Sequence, residues 1–229
     1  MTTISIHQPG YLPWLGFFKK IIFSDIFVFL DDVQYEKNGW HNRNKIRTNE
    51  GWIWLTVPVK SSISLNLNEV RIDNSTNWIQ KHKKSIQFNY SKSKYFNEYW
   101  EPLELLYEND NGSLLHFNMK FINFFLKNLG IKTKTMFSSE LKITKTSSDR
   151  ILDICEKLGA STYISGALGK NYLNVNDFTE KNIQVKFQNF QHPVYNQIYE
   201  PFLPNMAFID LLFNEGKNSS NILETANNF

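Results

Sequence analysis

His7 and Gln8 close a short apolar run, Ile4-Ser-Ile6, and Pro9-Gly10 turns the chain directly after them. An imidazole beside a carboxamide joins a group that gives or takes a proton near neutrality to one that orients a polar ligand. Asp31 and Asp32 repeat the arrangement at the end of Ile26-Phe-Val-Phe-Leu30 and lead into Gln34 and Tyr35. Carboxylates at the tip of a buried strand are costly unless they are solvated, paired or used. A third cluster follows Thr162-Tyr-Ile-Ser165, where Gly166, Gly169 and Lys170 can cradle an anion because glycine lets backbone N–H groups approach closely. Its spacing is too short for a Walker A loop, and Asn171 stands where Ser or Thr would bind magnesium.

These clusters act together only if the fold brings three strand ends to one place. Pro13 suits a first helical turn, so the opening reads as a strand, a polar tip and a helix over 14–23. The fully apolar 26–30 segment reads as a strand covered on both faces, and the three elements make a βαβ unit. In an open parallel sheet the carboxyl ends share one edge, which puts His7, Asp31 and the Ser165 cluster around one crevice. The plainer alternative at His7 is a capped turn with a satisfied histidine.

Around these strands the chain alternates. Residues 38–47 are polar and basic, with Trp40 and Asn42, and Arg43, Lys45 and Arg47 share one face if extended. Such a face holds a phosphate or carboxylate, or simply marks a solvated edge strand. Residues 52–59 read as a strand whose end Pro58 marks, and a short strand is expected near 70–72. Helical patterns follow over 76–87, 95–107 and 113–129, with His82 read as structural. A strand over 132–137 and a helix opening at Ser148 return the chain to α/β alternation, with Cys155 on the helix's core stripe as a small hydrophobe. After strands at 162–165 and 183–187, a helix over 206–214 ends at Gly216 before an Asn-rich tail predicted to fray. The fold class is α/β: a Rossmann-like, mostly parallel sheet with flanking helices, core segments at 1–75 and 131–229, and a helical insertion at 76–130.

Bulk properties narrow the function. The 229 residues carry a net charge of only +3 with scattered Lys and Arg, which argues against duplex DNA as a partner. Aromatic residues make up 15% of the chain, enough to line a pocket for a flat or sugar-like ligand as well as a core. One cysteine excludes an internal disulfide, and no signal peptide or membrane-length apolar run is present, so a cytoplasmic location and no membrane insertion are expected. No His/Glu spacing supports a metal site.

His7-Gln-Pro-Gly-Tyr-Leu-Pro-Trp-Leu-Gly-Phe-Phe-Lys-Lys-Ile21, Asp31-Asp-Val-Gln-Tyr35, Trp40-His-Asn-Arg-Asn-Lys-Ile46, Trp54-Leu-Thr-Val-Pro-Val59, Tyr163-Ile-Ser-Gly166, Gly169-Lys-Asn-Tyr-Leu173 and His192-Pro-Val-Tyr195 resemble the WbqC-like family of bacteria. Ala207 departs from the serine more usual there. The resemblance implies a cytoplasmic step in surface-polysaccharide, especially O-antigen, formation. It points to an enzyme placing an acyl or aminoacyl group on a nucleotide-linked amino sugar, with acyl-CoA, or ATP plus an amino acid, as donor. The opening is also similar to that of HIGH-type adenylate-forming enzymes, but Pro13-Trp14 stands in the region of the second histidine and no KMSKS-like segment follows. A non-catalytic sugar-nucleotide or glycan-binding protein is the alternative. Amide formation needs a base and donors for an oxyanion. The catalytic candidates are His7, Gln8 and Asp31, with Asn42 and Gly166 to Lys170 as donors and Arg43, Lys45 and Lys170 toward phosphate. Trp14, Tyr35 and Trp40 are the pocket walls, and Tyr11, Gln34, Ser165, Gly166, Gly169, Tyr172 and His192 complete the set.

Overall fold

The computed structural model describes residues 1–60, 64–108 and 112–227. Its strands are β1 (Thr3–His7), β2 (Ile26–Phe29), β3 (Arg43–Thr48), β4 (Gly51–Thr56), β5 (Lys134–Phe137), β6 (Thr162–Ser165) and β7 (Gln184–Phe187). Its helices are α1 (Leu15–Ile22), α2 (Trp78–Tyr90), α3 (Phe96–Leu105), α4 (Leu114–Asn128), α5 (Ser147–Lys157), α6 (Val175–Glu180), α7 (Phe208–Glu215) and α8 (Ser219–Thr225). Five strands form one parallel sheet in the order β5-β2-β1-β6-β7. Taking the sheet strands in chain order, this is the 3-2-1-4-5 arrangement of Rossmann-like folds, with the reversal of direction between β1 and β6.

The apolar strands are buried on both faces, as their composition requires. Ile4, Ile6 and Val28 pack on one side against Ile151, Ile154 and Cys155 of α5 and Phe178 of α6. Phe27 and Phe29 point the other way, into a larger core with Phe17 and Phe18 of α1, the helices α2 to α4 and α7. Helices of the 76–130 segment therefore share a core with the sheet. Ile46 and Leu55 bind the β3–β4 hairpin to the same core.

Three features differ from the sequence reading. The basic segment and the tryptophan-rich segment pair with each other as an antiparallel hairpin, separate from the main sheet. Near 70–72, where a strand is expected, no regular strand forms: a 3₁₀ turn at Leu67–Glu69, closed by an Asn66–Glu69 capping box, leads into the segment. Only isolated bridges, Val59 to Ile72 and Arg71 to Ser113, follow it. The tail predicted to fray forms α8, with Leu223 fully buried and the Lys19 Nζ donating to the Glu224 carbonyl at 2.6 Å. Gly216 permits that turn: its φ is +57°, and a Cβ there would lie 2.6 Å from the Tyr95 ring.

Candidate functional site

β1 is the central strand and ends in His7, which retains an open face to solvent. Behind it, α1 turns a lysine inward. Lys20 is 2% exposed, and its Nζ donates to the Ile6 carbonyl at 2.9 Å and lies 3.3 Å from His7 Nδ1. The edge of the Phe17 ring closes the side of the imidazole, with centroids 5.4 Å apart. Although the residue keeps an exposed edge, desolvation of the ring's inner face, then the charges of Lys20 and His41, lower the His7 imidazole from its ordinary value, so it is mostly neutral near pH 7. Burial also lowers Lys20 from 10.5 to about 7.

Gln8 is backed in the same way. His41, buried on the approach to β3, places Nε2 2.8 Å from Gln8 Oε1. Burial lowers His41 as well, with Glu36 opposing. As a neutral imidazole donating from Nε2, it leaves the Gln8 NH₂ turned away as a donor. The His41 carbonyl accepts from the Tyr11 N–H at 3.1 Å and from Asn118 Nδ2 at 2.7 Å, and Tyr35 packs its ring 5.5 Å from the His41 ring. A Cβ on Gly10 would come within 2.8 Å of the Trp40 carbonyl, so the glycine lets the loop before β3 lie directly on the β1 tip.

That loop leads to an exposed aromatic face. Trp40 is 55% exposed and packs 5.3 Å from Trp54, which in turn meets Trp52 at 5.4 Å. Arg43 lies over Trp54 at 4.4 Å and Lys45 over Trp52 at 4.2 Å, placing cations among the rings.

Other predicted residues are engaged by partners within the protein, Asp31 among them although its strand ends beside His7. The Asp31 carboxylate is filled from the β5 side: it accepts from Ser138 Oγ at 3.1 Å, Ser139 N–H at 3.0 Å and Ser139 Oγ at 2.8 Å. Asp32 pairs with Arg150 at 2.5 Å, which ties β2 to α5. Tyr11 is fully buried, bonded to His82 Nδ1 at 3.0 Å and to the Tyr107 hydroxyl, among helices. Burial pushes His82 down to about 4, so it acts there as a neutral partner. Asn42 holds the hairpin through the Val57 carbonyl at 2.7 Å. Trp14 bridges to Ala207 and meets Phe190 edge-on at 5.4 Å, while Gln34 bridges to Asn66. His192 bonds the Pro193 carbonyl at 2.9 Å among Phe190, Tyr195 and Phe202.

β6 ends beside β1, so Ser165 and Gly166 adjoin the His7 tip across the point where strand order reverses. Ser165 Oγ donates to the Gly166 carbonyl at 3.1 Å. A Cβ on Gly169 would lie 1.9 Å from Ser165 Oγ, so with any larger residue the 3₁₀ turn Ala167–Asn171 could fold back only if Ser165 shifted. Lys170 and Tyr172 stand outward on that turn, Lys170 over the Phe187 ring at 5.6 Å. A cleft of about 530 Å³ opens between α4 and the edge strand β5, lined by Met119, Asn123, Phe137 and Glu140 among others, and holds none of the predicted residues. Among the described residues, no group of His, Cys, Asp and Glu is placed to hold a metal ion.

Lys20 and His41 were not among the predicted residues. A doubled lysine inside the apolar stretch Leu15–Ile22 was the available signal for the first, since an amphipathic helix usually keeps its lysines on the wet face.

The family model described as the WbqC-like protein family matches residues 8–222. The chain belongs to the WbqC-like family. It is 34% identical over 229 residues to the uncharacterized protein Rv1507c of Mycobacterium tuberculosis (strain ATCC 25618 / H37Rv), a match covering 97% of this chain and 98% of the relative. No solved structure matches it significantly. In this WbqC-like chain the family match takes in Gln8, the Trp40 loop and the Ser165 turn. No helix is long and apolar enough to cross a membrane among the described residues.

Proposed function

We propose that this WbqC-like protein forms an amide on the amino group of a nucleotide-linked sugar, in the building of a bacterial surface polysaccharide. The observation that carries the reading is the meeting of the β1 and β6 ends at the reversal of strand order, with His7 and Gln8 facing outward. That is where Rossmann-like sheets place their ligands. His7 and Gln8 supply donors for the substrate's anionic or carbonyl oxygens, and Trp40 with its neighbouring rings offers a stacking wall for the sugar or base. Arg43 and Lys45 add positive charge along that wall.

With acyl-CoA as donor, the sugar nitrogen attacks the thioester carbonyl, a C–N bond forms as the C–S bond breaks, and the amine proton leaves with the thiol. With ATP and an amino acid, the carboxylate first displaces pyrophosphate to give an acyl adenylate, and the amine then displaces AMP. The test incubates purified protein with a UDP- or dTDP-linked amino sugar and each donor in turn, and follows product mass. An acyl or aminoacyl mass gain that is lost in His7→Ala supports the reading. Absence of product with every donor overturns it.

The exposed tryptophans favour a second reading, a sugar-nucleotide or glycan-binding protein that stacks its ligand without turnover. Saturable binding of the amino sugar nucleotide with no product from any donor selects that reading.

A further inference from the structure

We infer that Lys20 holds His7 in the tautomer that presents an Nε2–H donor, which makes the β1 tip a receptor for a phosphate or carboxylate oxygen and not a base. The inference takes from the proposed function only that ligand meets this strand tip.

Lys19 and Lys20 both turn into the protein, but to different ends. Lys19 latches α8 through the Glu224 carbonyl and lies over the Phe23 ring at 4.6 Å. Lys20 reaches the tip of the central strand, touching the Ile6 carbonyl and His7 Nδ1. Among the described residues no carboxylate lies within ion-pair distance of it. A buried ammonium without a counter-charge is costly, and an apolar side chain would fill the space at lower cost. Its position behind a histidine at a strand tip gives that cost a purpose.

An ammonium has three donors and no acceptor, so a protonated Lys20 makes His7 Nδ1 the acceptor. The neutral imidazole must then carry its proton on Nε2, the nitrogen facing away from Lys20. Gln8, backed by His41, likewise turns its NH₂ outward. The tip therefore offers donors and no acceptor. Among the described residues, the groups facing His7 are Lys20 from α1, His41 from the loop before β3 and the apolar Phe17 edge, with no carboxylate among them. An incoming oxyanion supplies the missing negative charge. Because Lys20 titrates at about 7, raising the pH through that value frees its lone pair, lets it accept from Nδ1–H and removes the lock.

The test has two arms. Nitrogen-15 NMR of the histidine side chains in the ligand-free protein at about pH 6 is expected to show His7 protonated at Nε2 and bare at Nδ1. In Lys20→Met the lock is lost and Nδ1–H becomes populated. Wild-type His7 protonated at Nδ1, or a Lys20→Met spectrum identical to wild type, overturns the inference. In the second arm, UDP and uridine are titrated calorimetrically into wild type and Lys20→Met. The wild-type preference for UDP is expected to fall about tenfold or more in the variant, the scale of losing one charge-assisted hydrogen bond. Equal binding of UDP and uridine to the wild type overturns the receptor assignment. A UDP preference without turnover of any amino sugar overturns the proposed reaction and leaves this inference standing.

Discussion

Replacing Lys20 by Met isolates the cost of burying an ammonium that has no counter-charge. Burial takes Lys20, 2% exposed, from 10.5 to about 7. At ~1.4 kcal/mol for each tenfold change in proton affinity, that drop corresponds to roughly 5 kcal/mol of folding free energy. The unfolded chain holds the proton up to about 10.5 and the folded protein releases it above about 7. Between those values the unfolded state binds more protons, so wild-type stability rises with pH, by ~1.4 kcal/mol per pH unit from this group. Below about 7 both states are protonated and the whole penalty is present. Methionine fills nearly the same space without charge, but forfeits the bond to the Ile6 carbonyl, a loss of ~1–3 kcal/mol. The variant is therefore expected to be ~2–4 kcal/mol more stable than wild type near pH 6, with the advantage shrinking steadily toward pH 10. Urea unfolding of both proteins across that range measures the difference. A difference that does not change with pH, or a variant less stable than wild type near pH 6, refutes the reasoning, because Lys20 would then be paired or hydrated in the folded protein.

If His7 and Gln8 hold the reacting group, His7→Ala and Gln8→Ala should each lower the rate of amide formation by ~10²-fold or more while leaving the circular dichroism unchanged. Asp31→Asn is expected to lower stability by ~1–3 kcal/mol, since the amide loses the charge and keeps one acceptor oxygen for the bonds from Ser138 and Ser139, yet to change the rate less than about tenfold. Thermal unfolding and initial rates measured on the same preparation separate the two effects, and a rate loss as large as that of His7→Ala would return Asp31 to the reacting centre. Gly169→Ala must displace Ser165, whose Oγ stands 1.9 Å from the new Cβ, so a loss of ~1–3 kcal/mol in unfolding free energy is expected; unchanged stability would mean that the turn relaxes freely.

The sheet was legible in the sequence because its strands are apolar without interruption, the pattern that burial on both faces imposes. Thr162–Ser165 matches its expected limits, and the β1–α1–β2 unit stands where Pro13 and the 26–30 run imply. The β3–β4 hairpin was legible as two extended segments but not as a pair, since alternating basic and aromatic residues do not record their partner. Individual site residues were harder to read for a related reason. A tyrosine hydroxyl or a carboxylate carries the same chemistry whether it meets a ligand or a distant part of its own chain. Tyr11 meets Tyr107, and Asp31 meets Ser138 and Ser139, partners that only the tertiary fold supplies. Lys20 shows the converse, a residue type associated with surfaces whose inward direction depends on the packing of α1 against β1.

The position of β1 in the sheet has a consequence for how the protein is made. Ser5 is paired with Phe27 on one side and with Ile164 on the other. At ribosomal rates of ~5–20 residues per second, on the order of ten seconds passes between the synthesis of those two neighbours. Throughout that interval one edge of an apolar strand has no native mate, which is the condition under which nascent chains pair wrongly or recruit holdase chaperones. Growth temperature and translation speed across the helical middle of the chain should therefore govern its soluble yield more strongly than the stability of the finished fold does.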